Sequence, residues 1–397
     1  MDRVSAVITS AISWLKHNHW LVVGLCVLTF FTAGLVYVYG NFSRISVKSA
    51  VNTTSPSPSP VDNRFAHLFN QGTPYSVALL GYGGGGHDGG QLSDSIMVAY
   101  IEPKRQRVSL ISVPRDTWVS LPVVEGATES YWKINAAYAI GADDGRYRQK
   151  PLQFTGEAGG GEMAKFALEK VIGIPINTFV ALDFYGFTKT IATLGSVTVQ
   201  VDRTFDDYYY PIKGLEKESC GRSDEEIAAV TATMSATQLE QSFTCRYEHL
   251  HFDAGKVTMD GETALKFVRS RHSLQDGGDF GRAARQRNLM VAVRDRVLSL
   301  NFLPKIIPFI NTLSGSLTTD LALSDMEYLL RFQDELKNYA IVSIALTDKN
   351  VLDLARSSDG QMVLQPKQGE GQWQAVHDFV QSELASDSAT ATVSATR

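Results

Sequence analysis

From Trp20 to Tyr39 the chain reads WLVVGLCVLTFFTAGLVYVY, twenty residues without a charge. No other stretch constrains the molecule as strongly, because a run of about 20 apolar residues is what a helix needs to cross a hydrocarbon core. Trp20, Tyr37 and Tyr39 lie at its ends, where amphipathic rings favour the headgroup region. The run reads as a transmembrane helix. A buried core helix and a cleaved signal peptide are the rival readings, but the run is long for a signal's apolar segment and no AxA-like site follows it. Flanking charge gives no orientation: Arg3 and Lys16 precede the run, Arg44 and Lys48 follow it.

Beyond Asn41 comes NTTSPSPSPVD, which buries too little apolar surface to fold and reads as an extended spacer. The globular part is expected to start near Asn63, leaving room in the 397-residue chain for one large domain or two. Against 37 Lys and Arg stand 42 Asp and Glu, a net charge of −5, which argues against a surface built to wrap nucleic acid. Any anion site must be a local cluster. Three cysteines, Cys26, Cys220 and Cys245, are too few for a paired Cys/His zinc module, and no HExxH spacing occurs. Cys220 and Cys245 bracket a polar segment and form a disulfide candidate if that side is oxidising; two unpaired thiols are the alternative.

YSVALLGY, DSIMVAYIEP and QRVSLISVPRD are short apolar runs bounded by Gly, Pro or charge, as are FVALDF and GSVTVQVD; they suit strands buried on both faces. Helical patterns alternate with them. GEMAKFALEKVIG and FYGFTKTIATLG end in Gly173 and Gly195, DGETALKFV has Asp260 in the N-cap position, and a longer helix is expected from Arg282 to about Leu300. Such alternation means a sheet layered by helices. LSDMEYLLRFQDEL, YAIVSIAL and QWQAVHDFVQSEL supply a further helix, strand and helix before the low-complexity tail SDSATATVSATR.

Three features carry chemistry. The run LLGYGGGGHDGGQ follows a strand, but without GK[ST] it is no Walker A loop, and no GxGxxG opens a helix; it reads as a loop over a site or a plain surface loop. VPRD places Arg115 and Asp116 at a strand end, the edge where open α/β sheets bind ligands, although Asp116 could equally cap a turn. FVRSRHSLQDGGDFGRAARQRN gathers Arg269, Arg271, Arg282, Arg285 and Arg287 within nineteen residues. An extended backbone would point Arg269 and Arg271 to one side. Arg282, Arg285 and Gln286 fall together near a helix N-terminus, with Asp279 available as a cap. Guanidinium groups at that spacing repel unless an anion sits between them, and they form paired hydrogen bonds with phosphate oxygens. A pyrophosphate fits; a solvated basic face is the plainer alternative.

The order of the blocks SDSIMVAYIEPKRQRVSLISVPRDTWV, KINAAYAIG, FVALDFYGF, LGSVTVQVD, MDGETALKFVRSRH and DFGRAARQ resembles the LytR-CpsA-Psr family. That resemblance implies an α/β/α sandwich with a central mixed β-sheet, preceded by one transmembrane helix and penetrated by a lipid tunnel. It implies a cytoplasmic N-terminus at 1–19, a membrane span at 20–39, a linker at 40–62 and a catalytic domain at 63–300 with an insertion at 203–248. The segment 301–385 is then an extension packed on that domain or a small separate one, and 386–397 a disordered tail. The activity implied is that of a membrane-anchored phosphotransferase, extracytoplasmic on the cell membrane, moving a glycopolymer from a polyprenyl-pyrophosphate carrier to peptidoglycan; no nucleic acid is involved.

Residue by residue, the resemblance makes Asp94 a metal ligand for Mg²⁺ or another divalent cation. It makes Arg115, Asp116, Arg269, Arg271, Arg282 and Gln286 catalytic, with Asp116 either orienting an arginine or accepting the proton, and Arg115, Arg269, Arg271, Arg282 and Arg285 binders of the pyrophosphate. Where the family often carries an acidic residue at the first strand, this chain has Tyr82; His87 or Asp88 is the candidate substitute. Gln91 and Leu92 stand where an Arg is common. Phe179, Phe184, Tyr185 and Phe187 are lipid-tunnel candidates, with ordinary core aromatics as the alternative. Two other functions stay open at this level: a polyprenyl-pyrophosphate hydrolase, and a non-catalytic module that senses anionic lipid.

Overall fold

The computed structural model describes residues 46–47, 64–84, 90–126, 130–275, 277–299, 313, 315–322, 324–325, 328 and 332–386. The expected membrane span, His87, Asp88 and the tail beyond 386 lie outside them, and of the linker only Ser46 and Val47 are described. Among the described residues no helix is long and apolar enough to cross a membrane.

In chain order the strands are β1 (Tyr75–Tyr82), β2 (Ser93–Glu102), β3 (Arg107–Ser112), β4 (Trp118–Leu121), β5 (Ser130–Lys133), β6 (Thr178–Asp183), β7 (Val197–Val201), β8 (Phe205–Pro211), β9 (Tyr247–Phe252), β10 (Gly255–Met259), β11 (Leu317–Thr319) and β12 (Ala340–Ala345), followed by the hairpin Leu352–Arg356 and Met362–Pro366. The principal helices are α1 (Arg64–Asn70), α2 (Ala136–Ala142), α3 (Gly159–Ile172), α4 (Phe184–Leu194), α5 (Asp224–Thr233), α6 (Ala236–Ser242), α7 (Gly261–Arg269), α8 (Gly278–Ser299) and α9 (Gln374–Ala385). Their ends follow the sequence signals. Gly173 and Gly195 close α3 and α4 with φ of 70° and 79°, a conformation that costs glycine nothing. The Asp260 carboxylate accepts a hydrogen bond from the Thr263 N–H at 2.8 Å, capping α7 as expected.

Six strands form the central sheet in the order β11-β6-β1-β2-β3-β12. It is mixed: β1 pairs parallel with β6 and β3 with β12, while β2 and β11 run antiparallel to their neighbours. One face packs on α2, α3 and α9 through Leu80, Val98, Ile111 and Phe179 against Met163, Leu168 and Val376. The helices α4, α7 and α8 make a separate core with β7–β10, around Ile191, Phe205, Phe267 and Leu289, to which no strand of the central sheet contributes. The other face of the sheet is covered at one end by a third cluster, Phe65, Phe69 and Tyr75 with Val77, Ile101 and Val108, and is left open around Leu79, Met97, Val180 and Leu182.

Two boundaries read from the sequence shift. Of the segment 301–385, the described strands β11 and β12 form the two edges of the central sheet and are part of the domain itself; an unpaired strand edge is satisfied by pairing, whatever its distance along the chain. The spacer at 40–62 is not free along its whole length either. Ser46 bridges to Thr319, and the Val47 N–H donates to the Thr319 carbonyl at 2.9 Å, burying Val47 at the β11 edge.

Candidate active site

Period-two alternation decides what the unsealed face presents. On β6, Phe179 and Ala181 point into the α3 core, so Val180 and Leu182 point the other way. Leu79 on β1 and Met97 on β2 continue this floor, since Leu79 pairs with Met97 and Val180. Phe184 and Phe187 of α4, Leu265 and Val268 of α7, and Leu289 and Met290 of α8 form the roof. Between them lies an apolar cavity of about 450 Å³. It opens where β1, β3 and β6 end and β2 begins, and there its lining changes to Asp94, Arg115, Arg269, Arg271, His272, Arg282 and Gln286.

Arg115 leaves the end of β3 and donates to Asp94 at 2.6 Å. Behind it, Asp116 lies 3.6 Å from the Arg115 Nε and accepts from Lys133 at 2.7 Å. Asp116 is not among the residues that line the cavity, and its ion pairs are with Arg115 and Lys133. The α8 residues Arg282 and Gln286, one turn apart, both reach the mouth; Gln286 donates to the Ser95 hydroxyl at 3.1 Å and ties the helix to β2. Arg269 ends α7, stacked over the Phe184 ring at 4.3 Å with its Nη1 3.3 Å from the Tyr210 hydroxyl. Burial pushes the Tyr210 phenol up, and the neighbouring Arg269 pulls it back.

Several expectations need correction. Arg269 and Arg271 converge, but across a helix C-terminus and its exit, with Ser270 as the C-cap, rather than along a strand. Arg285 does not reach the anion site. It is buried, donates to the Ser270 carbonyl at 2.5 Å and stacks on Phe205 at 4.9 Å, because residue i+3 is rotated by about 60° away from Arg282 on the side opposite Gln286. Phe179 is a core residue, fully buried, its ring seated where a Cβ at Gly161 would overlap it. Tyr185 is 62% exposed and lies under the Lys189 ammonium. Phe184 and Phe187 do line the cavity. The Asp279 cap position falls inside α8, which begins at Gly278. Tyr82 stacks on Tyr138, and burial holds its phenol well above the ordinary value.

The segment 203–248 is an insertion only in part. β8 pairs with β9, and a bulge between Asp207 and Tyr210 turns Tyr209, Tyr210 and Pro211 to the cavity. The rest carries α5, α6 and the Cys220–Cys245 disulfide, with Cα atoms 5.7 Å apart. Asp207 is the residue that sequence reasoning missed. Fully buried, it accepts from the Ser270 hydroxyl at 2.7 Å and from the N–H groups of Tyr209, Arg271 and His272 at 3.0, 3.0 and 3.1 Å. Burial alone would raise its pKa, but these four donors hold the carboxyl below its ordinary value. The only trace in the sequence is a second Asp in FDDYYY, out of phase with the partly exposed Asp206.

Four guanidinium groups therefore meet two carboxylates, Asp94 and Asp207, at the mouth of an apolar cavity. That surplus matches the two charges of a pyrophosphate diester. The LytR_cpsA_psr family model matches residues 36–375. The chain belongs to the LytR_cpsA_psr family. Its relatives include the polyisoprenyl-teichoic acid–peptidoglycan teichoic acid transferase TagU of Enterococcus faecalis, 27% identical over 65% of this chain and 65% of that protein. Among solved structures, the protein gbs0355 from Streptococcus agalactiae shares the fold with a TM-score of 0.54 at 23% identity, over 80% of this chain and 90% of that one. A structure of TagT bound to LIIa-WTA matches with a TM-score of 0.50 at 21% identity, over 86% and 100%.

Proposed function

We propose that this protein transfers a glycopolymer from a polyprenyl-pyrophosphate carrier to peptidoglycan, acting as a membrane-anchored enzyme with its catalytic domain outside the cell membrane. The observation that carries this reading is an apolar cavity ending in an arginine-lined mouth, which suits a lipid tail joined to a pyrophosphate. The isoprene units next to the pyrophosphate lie on Leu79, Val180 and Leu182, and its oxygens meet Arg115, Arg269, Arg271 and Arg282. The names of the family's relatives, teichoic acid transferases among them, point to the same donor and acceptor classes.

An acceptor hydroxyl of the wall attacks the phosphorus that carries the polymer. The bridging P–O bond breaks with its electron pair going to the leaving polyprenyl phosphate, a phosphodiester joins polymer to wall, and the hydroxyl proton passes to the leaving phosphate or to solvent. The arginines position the pyrophosphate and stabilise charge that develops on the leaving phosphate. Asp116 and Lys133 hold Arg115 in place. A divalent cation fits the donor set. Mg²⁺ is usually held by one or two carboxylates together with substrate phosphates, and Asp94 spends one oxygen on Arg115 while its other has no partner among the described residues. Asp94 would hold the ion, which when bound would offset pyrophosphate charge.

The test supplies purified full-length protein in detergent with a polyprenyl-pyrophosphate-linked oligosaccharide and peptidoglycan fragments. Mass spectrometry should find polyprenyl phosphate and wall-linked polymer in equal amounts, both lost in the Arg269→Ala, Arg271→Ala double variant. Free sugar phosphate without linked polymer would establish a hydrolase instead. Lipid binding without any turnover would leave a sensing module.

A further inference from the structure

On the face of β8 and β9 turned away from the cavity stands a second group of chemistry-bearing side chains, Asp206, His249 and His251. His249 and His251 are two apart on β9 and so share one face, and Asp206 is the direct cross-strand partner of His251. The Asp206 Oδ1 lies 2.8 Å from His249 Nε2 and 2.8 Å from His251 Nδ1. The three ligand atoms lie within 4.8 Å of one another.

The geometry points to a surface binding site for a borderline divalent transition metal, Zn²⁺ above all, formed by Asp206, His249 and His251. Two imidazoles and one carboxylate are a donor set such ions take, with a fourth tetrahedral position left to solvent. Hard Mg²⁺, which prefers oxygen ligands, is a poor match. Two further contacts have the character of support around metal ligands. His251 can ligate through Nδ1 only with its proton on Nε2, and Asp253 Oδ1 waits 3.3 Å from that atom. Tyr208 stacks on His249 with centroids 4.2 Å apart and planes within 3°, fixing the ring's plane. Tetrahedral Zn–N and Zn–O bonds of about 2.0–2.1 Å set ligand atoms about 3.3 Å apart, so Asp206 Oδ1 must draw back about half an ångström from each imidazole nitrogen, within reach of side chains that meet solvent.

The site pins β8 to β9 beside the bulge. Asp206 faces the metal, and the next residue, Asp207, faces the loop that carries Arg271. A bound ion thus braces the strand that holds part of the anion site, without itself touching the cavity.

The experiment uses chain without a polyhistidine tag, stripped with chelator and titrated with Zn²⁺ by calorimetry. One ion per chain is expected, with a rise in melting temperature. His249→Ala with His251→Ala should abolish both effects, Asp253→Asn should weaken binding about tenfold, and Asp94→Asn should leave it intact. Since all four of the Asp206, His249, His251 and Asp253 side chains reach solvent, these variants should fold, which circular dichroism checks. No binding at millimolar Zn²⁺, or equal affinity in the double histidine variant, overturns the assignment and leaves a hydrogen-bonded surface cluster. Neither result bears on the transferase reading, which rests on other residues.

Discussion

Replacing Asp207 tests whether a single buried carboxylate holds the arginine loop. In Asp207→Ala, the Ser270 hydroxyl and the N–H groups of Tyr209, Arg271 and His272 lose their acceptor together. A hydrogen bond to a charged group contributes about 1.5–3 kcal/mol, and a buried donor left unsatisfied costs about 1–3 kcal/mol. These contributions do not add, because the cavity mouth lets water reach some of the donors, so a loss of about 3–5 kcal/mol is expected. Asp207→Asn keeps one oxygen. Placed on the side of Ser270, Arg271 and His272, that oxygen retains three donors, and the amide NH₂ then confronts the Tyr209 N–H, for a loss of about 1.5–3 kcal/mol. Urea unfolding at pH 7 measures both, and hydrogen exchange at the Arg271 and His272 amides locates the damage. The carboxyl's depressed pKa adds a signature in pH. Its stabilisation is present above the unfolded value of about 3.9 and is lost as pH falls through the lower folded value. The gap between wild type and Asp207→Asn should therefore narrow below about pH 4. A loss under about 1 kcal/mol in Asp207→Ala at pH 7, or a gap that does not change with acid, would refute the role of Asp207 as the anchor of the loop.

Four further perturbations probe the core, the site and the disulfide-bridged segment. Leu182→Trp should fill the cavity floor, reducing binding of a polyprenyl-pyrophosphate at least tenfold while the urea midpoint stays nearly unchanged; Phe179→Ala should do the reverse, costing about 3–5 kcal/mol in the buried core. Lys133→Met removes the cation that holds Asp116, and turnover by the transferase should fall while lipid binding, followed by co-purification, persists. Reducing the Cys220–Cys245 bridge, which spans 25 residues, should cost about 3 kcal/mol, seen as a lower melting temperature with reductant and absent in a Cys220→Ser, Cys245→Ser variant.

The sequence by itself determined what depends on neighbours along the chain. The ends of α3, α4 and α7 follow from Gly173, Gly195 and Asp260, because capping is a contact over three or four residues. The converging arginines were legible too, since the spacing of Arg282 and Gln286 is a property of any helix and the family blocks carry Arg115, Arg269 and Arg271 as matched motifs.

Tertiary structure decided whatever depends on which side of an element meets which partner. Phe179 and Val180 are adjacent, apolar and β-prone, and only the placement of α3 on one face of the sheet makes the first core and the second cavity wall. Arg285 falls to the core for the same reason, because α7 and β8 lie on its side of α8. The Asp206–His249–His251 cluster arises from the β8–β9 pairing and the Asp207 staple from contact with the exit of α7, 63 to 65 residues further along the chain, with adjacent aspartates sent to opposite faces. Local propensity assigns both aspartates the same polar character. It is the pleat, fixed once β8 finds β9, that buries one among backbone donors and leaves the other facing two imidazoles in solvent.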